Sequence, residues 1–538
     1  MRMRHGRSCV KLCCSQLHNR VSSSAFCSTS SSAVVSNQVR GRRRYSRALC
    51  HRRLRVIVCE ATNTSSAGYH GGYAGDNNNN DDDIGDNEDE ERVRTSSDET
   101  QLAKRVLRFV LPSLATVLSA PLLSLTDTAF VGRCAPDAAA SSFALAALSQ
   151  ATILCDYVPL ISTFVSTAAL NITADLLARG DEDGAIATTA TALLLATVIG
   201  MCIAAVIFVY PKQILALQGV EADVLEKAVE YSRWRALGTP FASCTAAACA
   251  ALAARKDTLL PFIGVLVGGI VNVVLDWLAV ARGGWGVGGA AAATAAAQVV
   301  SALIVIGSAA KRKYIGKRVV LEHARSIMRF CAPVIFVTTS VLSIFSSLII
   351  VAQQMGVITS AAHRVLGSLF GITSLAGDPL MQAVQTFLPA SLLEKDDRGT
   401  QKLLMLCLSI GAVFSAVGGL CVFCIAYFVP SLFTTNSSCI AMIRSVLPCF
   451  SLAIALVVPS KVLYGAALAA GDLKFLTYLI VIGTIVVLGQ LLYLIRAGLG
   501  YGALWLVLSS YYFVAIVALT ARLSTKIRGN EATDRQPQ

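Results

Sequence analysis

Four residues have side chains able to hold an ion inside otherwise apolar sequence. Asp127 lies in LSLTDTAFVG, Asn272 and Asp276 in VNVVLDWLAV, and Thr294 in GGAAAATAAAQ. A spacing of four puts Asn272 and Asp276 on one face of a helix. A carboxylate in hydrocarbon costs at least ~2.5 kcal/mol on insertion scales, so it needs a cavity, a partner or an ion. At a rise of ~1.5 Å per residue, Asp276 lies about 10 Å before the Gly283 break and Asp127 about 8 Å before Gly132. Thr294 lies about 9 Å past the start of its own run. If the first and fifth runs end on the face where the sixth begins, all three share one depth, with Asn272 a turn deeper. Such an oxygen-rich cluster suits Na⁺. Alternatively it holds two carboxylates so close that one keeps a proton and becomes a proton carrier. The competing reading is a pair of helix caps or headgroup contacts, but Asp is too short to reach 8–10 Å.

A second, looser group reads as a substrate cavity: Asp156 in ILCDYVP, Asp378 in AGDPL, Gln382, Arg364 and Lys461. Each has a bland counterpart. Asp156 and Asp378 stand beside Pro159 and Pro379, where helices end. Arg364 could snorkel to an interface. Gln382 and Gln385 could hydrogen-bond between helices.

The elements that must position these residues follow from composition. Of 538 residues, 54% are hydrophobic and 15% charged, against about one-quarter charged in a soluble protein. Apolar runs of about 20 residues, enough for a ~30 Å hydrocarbon core, recur along the chain. The fold class is therefore an all-α polytopic membrane protein; a β-barrel would show short alternating segments. Twelve transmembrane helices are expected between 106 and 523, among them single spans over 141–170, 230–253 and 357–390. The net charge of +13 resides largely in residues 1–59, which hold thirteen Arg and Lys and no acid. The remainder is near neutral, so no nucleic-acid partner is expected. The single CxxC, Cys421 to Cys424, lies in an apolar run with no second pair and reads as packing rather than a metal site.

Residues 1–60, basic, Ser-rich and acid-free, read as a plastid transit peptide. Residues 61–100, with GDNNNNDDDIGDNEDEER, read as a disordered acidic linker. A six-helix lobe over 101–316 and a second over 317–528 follow, then a disordered tail over 529–538. The two lobes read as one duplicated unit. LRFVLP (Leu107 to Pro112) matches MRFCAP (Met328 to Pro333), and LLARGDEDG (Leu176 to Gly184) matches LLEKDDRG (Leu392 to Gly399). GWGVGGA (Gly284 to Ala290) matches GLGYGAL (Gly498 to Leu504), the offset drifting from about 221 to about 214 residues. Six spans per unit make the repeats parallel, with their symmetry axis along the membrane normal. KRKYIGKR (Lys311 to Arg318) and the other basic loops share a side with both termini. The positive-inside rule makes that side the stroma of a plastid membrane, with the envelope the expected membrane.

Taken together these motifs resemble the multidrug and toxic compound extrusion (MATE) transporter family over residues 105–525. DTAFVG resembles its first-span acidic motif, and VNVVLD and GVGGAAAATAAAQ its fifth and sixth spans. TILCDYV, NITADLLARGD, AAHRV, GDPLMQAVQTFLP and AAGDLKF are similar to plant plastid members of the enhanced-disease-susceptibility, salicylate-exporting type. The resemblance implies a V-shaped twelve-helix fold and cation-coupled efflux by alternating access. It implies a coupling-ion site at Asp127, Asn272, Asp276 and Thr294 and no cofactor beyond H⁺ or Na⁺. Two departures stand out. Leu123 occupies a position often Tyr in prokaryotic members, and Lys461 departs from the plastid group. In the second lobe Leu348 stands at the repeat position of Asp127, so coupling should fall on the first lobe.

The function expected is a monomeric secondary antiporter in the bilayer. It would export a small organic metabolite, an aromatic carboxylate such as salicylate, in exchange for H⁺ or Na⁺. The alternatives are a lipid-linked substrate flippase, a membrane-embedded prenyltransferase using the N-x-x-x-D of NVVLD, and a non-transporting receptor.

Overall fold

The computed structural model describes residues 83–134, 138–152, 154–155, 163–217, 222–316, 319–429 and 437–534. Asp156, Pro159 and the segment read as a transit peptide lie outside them. Among the described residues the long elements are all helices. The first lobe runs α1 (Asp83–Arg133), α2 (Ala138–Thr152), α3 (Thr163–Ala178), α4 (Glu182–Val209), the short α5 (Pro211–Leu217), α6 (Ala222–Ala254), α7 (Leu259–Asp276) and α8 (Gly286–Lys311). The second runs α9 (Leu321–Gln354), α10 (Val357–Leu375), α11 (Asp378–Leu393), α12 (Asp397–Phe428), α13 (Ser437–Ala469), α14 (Leu473–Arg496) and α15 (Tyr501–Asp534).

Ten of these helices carry stretches long and apolar enough to cross a membrane. Of the other two crossings, the one expected over 357–390 is broken into α10 and α11, and the one expected over 141–170 includes α2 and α3, with residues 156–162 outside the described ones. The break between α10 and α11 has a local cause. Gly377 and Asp378 precede Pro379, and a proline sits without penalty only in the first turn of a helix, so a new helix starts there. Twelve crossings in two six-span repeats result. Large side chains exposed on the outer faces, such as Met201, Phe208, Ile485 and Phe513, meet lipid. α1 is described from Asp83, within the segment read as linker. α15 continues to Asp534, into the segment read as tail.

The duplication appears in the turns. Asp181 Oδ1 accepts from Gly184 N at 2.9 Å, and Asp396 Oδ1 from Gly399 N at 2.8 Å, each capping the third span of its lobe. Left-handed residues recur at matching places: Gly180 and Lys395, Lys256 and Gly471, Gly284 and Gly498. Arg312 pairs with Asp257 in the first lobe, as Lys526 and Arg522 pair with Asp472 in the second.

The lobes meet on the side of the basic loops. There α11 packs on α3 and α6, and α9 on α3 and α4. Thr386 Oγ1 donates to the Ala253 carbonyl at 3.3 Å, Thr188 Oγ1 lies 2.9 Å from His323 Nδ1, and the Phe109 and Phe387 rings meet edge-on at 5.7 Å. Lys256 lies over Phe387 in this junction; burial, then the like charge of Arg105, pulls its ammonium below the usual lysine range.

Candidate functional site

The first-lobe cluster assembles at the meeting of α1, α7 and α8. The buried face of α7 carries Gly264, Gly268, Asn272 and Asp276, a strict spacing of four. The glycines bring α8 close. A methyl at Gly268 would lie 2.0 Å from Ser301 Oγ and 3.0 Å from the Ala297 carbonyl. Ser301 Oγ donates to the Gly264 carbonyl at 3.0 Å. Directly after Asp276 the helix widens into a π segment, Trp277–Arg282, a device frequent at functional sites.

Asn272 and Asp276 are completely buried, and Asp127 is 5% exposed. Thr294 Oγ1 lies 3.1 Å from Asp127 Oδ2 and 3.0 Å from the Ala290 carbonyl, one hydroxyl proton between two acceptors. Asp127 faces Asp276 and Asn272. Even so, Asp127 Oδ1, both Asp276 oxygens and both polar atoms of Asn272 have no hydrogen-bond partner among the described residues. Two carboxylates face each other as acceptors only. Their contact becomes favourable when a proton or cation lies between them. The four residues named from sequence therefore come together.

The sequence reading missed two neighbours. Arg235, well inside α6, interacts electrostatically with Asp127. Its Nη1 donates to the Gln298 amide oxygen at 2.7 Å, while the Gln298 nitrogen donates to the Gly238 carbonyl at 3.2 Å. That amide orientation is the one satisfying both contacts. Gln298 follows Thr294 by one turn on α8. Arg235 lies about thirteen residues past the start of α6, two after Arg233, whose side chain is exposed.

Of the looser group, the second lobe brings Asp378 and Lys461 together. Lys461 Nζ lies 2.5 Å from Asp378 Oδ1 and 2.8 Å from the Ser374 carbonyl. Both side chains are 24% exposed and line a partly open cavity of about 520 Å³ between α9, α10, α11, α13, α14 and α15. Arg364, exposed, lines an adjoining cavity of about 640 Å³ with His363 and Trp505. Gln382 lines neither. Leu348, at the repeat position of Asp127, is core. Cys421 and Cys424 are free thiols, and among the described residues no cluster of His, Cys, Asp or Glu is arranged to hold a metal.

The MatE family model matches residues 112–278 and 333–492, once in each lobe. The chain belongs to the MATE transporter family. It is 27% identical over 416 residues to Protein DETOXIFICATION 47, chloroplastic, of Arabidopsis thaliana, covering 76% of this chain and 75% of that protein. It is 25% identical over 355 residues to Protein DETOXIFICATION 44, chloroplastic, of the same plant, covering 63% and 66%. Among solved structures, the Vibrio cholerae MATE transporter VcmN in the bent form superposes with a TM-score of 0.71 at 18% identity, over 81% of this chain and 99% of that one. A MOP superfamily transporter from Pyrococcus furiosus gives 0.72 at 18% identity, over 80% and 97%. Family membership makes this MATE protein a multi-pass transporter and not an enzyme, which removes the prenyltransferase reading.

Proposed function

We propose that this MATE protein is a proton-coupled antiporter of the chloroplast envelope that exports a small aromatic carboxylate, working as a monomer. The observation that carries the coupling site is the buried pair Asp127 and Asp276, two acceptors facing each other without a donor between them. The expectation left H⁺ and Na⁺ open. Arg235 favours H⁺. Its fixed charge beside Asp127 offsets one of the two carboxylates, so one proton neutralises the group. A sodium ion would instead bring a second fixed cation into a dry site that already holds one. Asn272 and Thr294 then position the carboxylates and accept or donate around the shared proton.

Proton binding drives transport only if the two access states differ in affinity for it. The π segment after Asp276 gives α7 a place to change its winding when the cluster loses its charge. The plastid location is supported by the basic, acid-free first 59 residues and by the chloroplastic relatives. The test is salicylate flux from proteoliposomes under an imposed pH gradient, then under a Na⁺ gradient at equal pH. The reading expects acceleration by the first and not by the second. Acceleration by Na⁺ alone would overturn the assignment of the ion. Flux indifferent to both would overturn antiport.

A further inference from the structure

The second-lobe cavity holds features that the coupling cluster does not use. A lysine inside a transmembrane helix is costly and marks a functional site by default. Lys461 is held by the Asp378 carboxylate and the Ser374 carbonyl, and both Lys461 and Asp378 line the cavity. The same cavity is lined by Tyr464, Tyr511 and Tyr512. Among the described residues, none of these three phenol hydroxyls has a hydrogen-bond partner. Besides Asp378 and Lys461, every lining side chain is apolar or carries a hydroxyl. The cavity is thus rich in donors, with one lysine and three phenols against a single carboxylate. Its volume of about 520 Å³ lies within the ~300–1,000 Å³ of small-molecule sites.

The cavity is also reachable. It shares Leu342, Phe345, Ser374, Leu375 and Leu508 with the adjoining cavity of about 640 Å³. That second cavity runs to Gln353 and Ser360, where α9 ends and α10 begins, on the side away from the basic loops. Arg364 lines this outer part and Lys461 the inner. Arg364 puts a positive charge near the mouth of this passage, and at its depth the charge of Lys461 is balanced by Asp378 until a ligand carboxylate takes its place.

We propose that this cavity is the substrate site, with Lys461 and the three tyrosine hydroxyls taking the carboxylate of a small aromatic acid. Asp378 is the resident stand-in for that carboxylate: it keeps Lys461 paired until the ligand arrives. Aromatic and aliphatic walls from Phe345, Leu479 and Leu508 take the ring. The surplus of donors separates this ligand from an ammonium or a zwitterion, since an ammonium finds only Asp378 and the Ser374 carbonyl as strong acceptors. The inference rests on the antiporter reading for its substrate class, but places the substrate in the lobe opposite the coupling cluster.

The experiment is equilibrium binding of radiolabelled salicylate to the purified full chain in detergent, with no gradient. Lys461→Gln should weaken binding about tenfold or more, the size of a lost charge-assisted contact, and Lys461→Arg should retain much of it. Asp378→Asn removes the competing carboxylate and should tighten binding several-fold, a gain that misfolding cannot produce. Phenylalanine should compete less well than hydrocinnamate. The inference is overturned by wild-type protein that does not bind salicylate, by Lys461→Gln binding like wild type, by Asp378→Asn binding no tighter, or by phenylalanine competing better. If the Lys461 and Asp378 variants behave as expected while Asp276→Asn leaves gradient-driven flux intact, this site stands and the coupling site falls. If a pH gradient drives transport but Lys461 is silent in binding, the antiporter stands and this site falls.

Discussion

The two lobes are copies of one six-span unit, and they differ most where a charge is buried. In the first, α7 turns Asn272 and Asp276 inward, with no donor supplied to either carboxylate oxygen of Asp276. In the second, the buried face of α14 carries Val487 and Leu491 instead. The second lobe's own carboxylate, Asp378, is closed onto Lys461. The buried carboxylates of the first lobe face each other, whereas that of the second is closed onto a lysine. A duplicated scaffold can thus divide two tasks, one half receiving the proton and the other receiving the substrate. The turns that build the scaffold did not diverge. The Asp181 and Asp396 caps and the paired left-handed residues recur at equivalent positions in both lobes.

Four sets of substitutions break or sharpen this contrast, from largest effect to smallest. Leu348→Asp places a carboxylate where the second lobe has core. Without an Arg235 or Asn272 nearby it should cost ~2.5–3.5 kcal/mol, seen as loss of folded yield and a lower melting temperature. Asp378→Ala leaves the Lys461 ammonium without its carboxylate and should cost ~2–3 kcal/mol. The double variant Asp378→Ala with Lys461→Met should recover most of that in thermal unfolding. Gly268→Ala drives a methyl onto Ser301 and the Ala297 carbonyl. It should cost ~1–2 kcal/mol and spread α7 from α8, and gradient-driven flux should fall more than salicylate binding. Asp181→Ala and Asp396→Ala each remove one cap and should cost ~1 kcal/mol. The two melting shifts should agree, because here the lobes are alike.

Much of this was legible before any coordinates. A carboxylate in an apolar run is conspicuous, so Asp127 and Asp276 declared themselves, and helical spacing added Asn272. The repeat was legible because caps and left-handed turns demand Asp and Gly at fixed places. Pairing across the fold was not legible. Asp378 and Lys461 lie 83 residues apart, and only packing decides that they meet rather than facing the cleft separately. Arg235 was hidden by length: a span expected from residue 230 places it near the interface, whereas α6 begins at Ala222 and carries it inward. The span over 357–390 was read as continuous because hydropathy sees apolar length and not the turn at Gly377 and Pro379.

The central claim is that the first lobe takes up the driving proton at Asp127 and Asp276. The most direct test is salicylate efflux from proteoliposomes with and without an imposed pH gradient, comparing wild type with Asp276→Asn. The account predicts that the gradient accelerates wild-type efflux at least about tenfold, the share of ~1.4 kcal/mol of coupling, and that Asp276→Asn moves salicylate at one rate whatever the gradient. An Asp276→Asn protein whose efflux still follows the pH gradient as wild type does would contradict it.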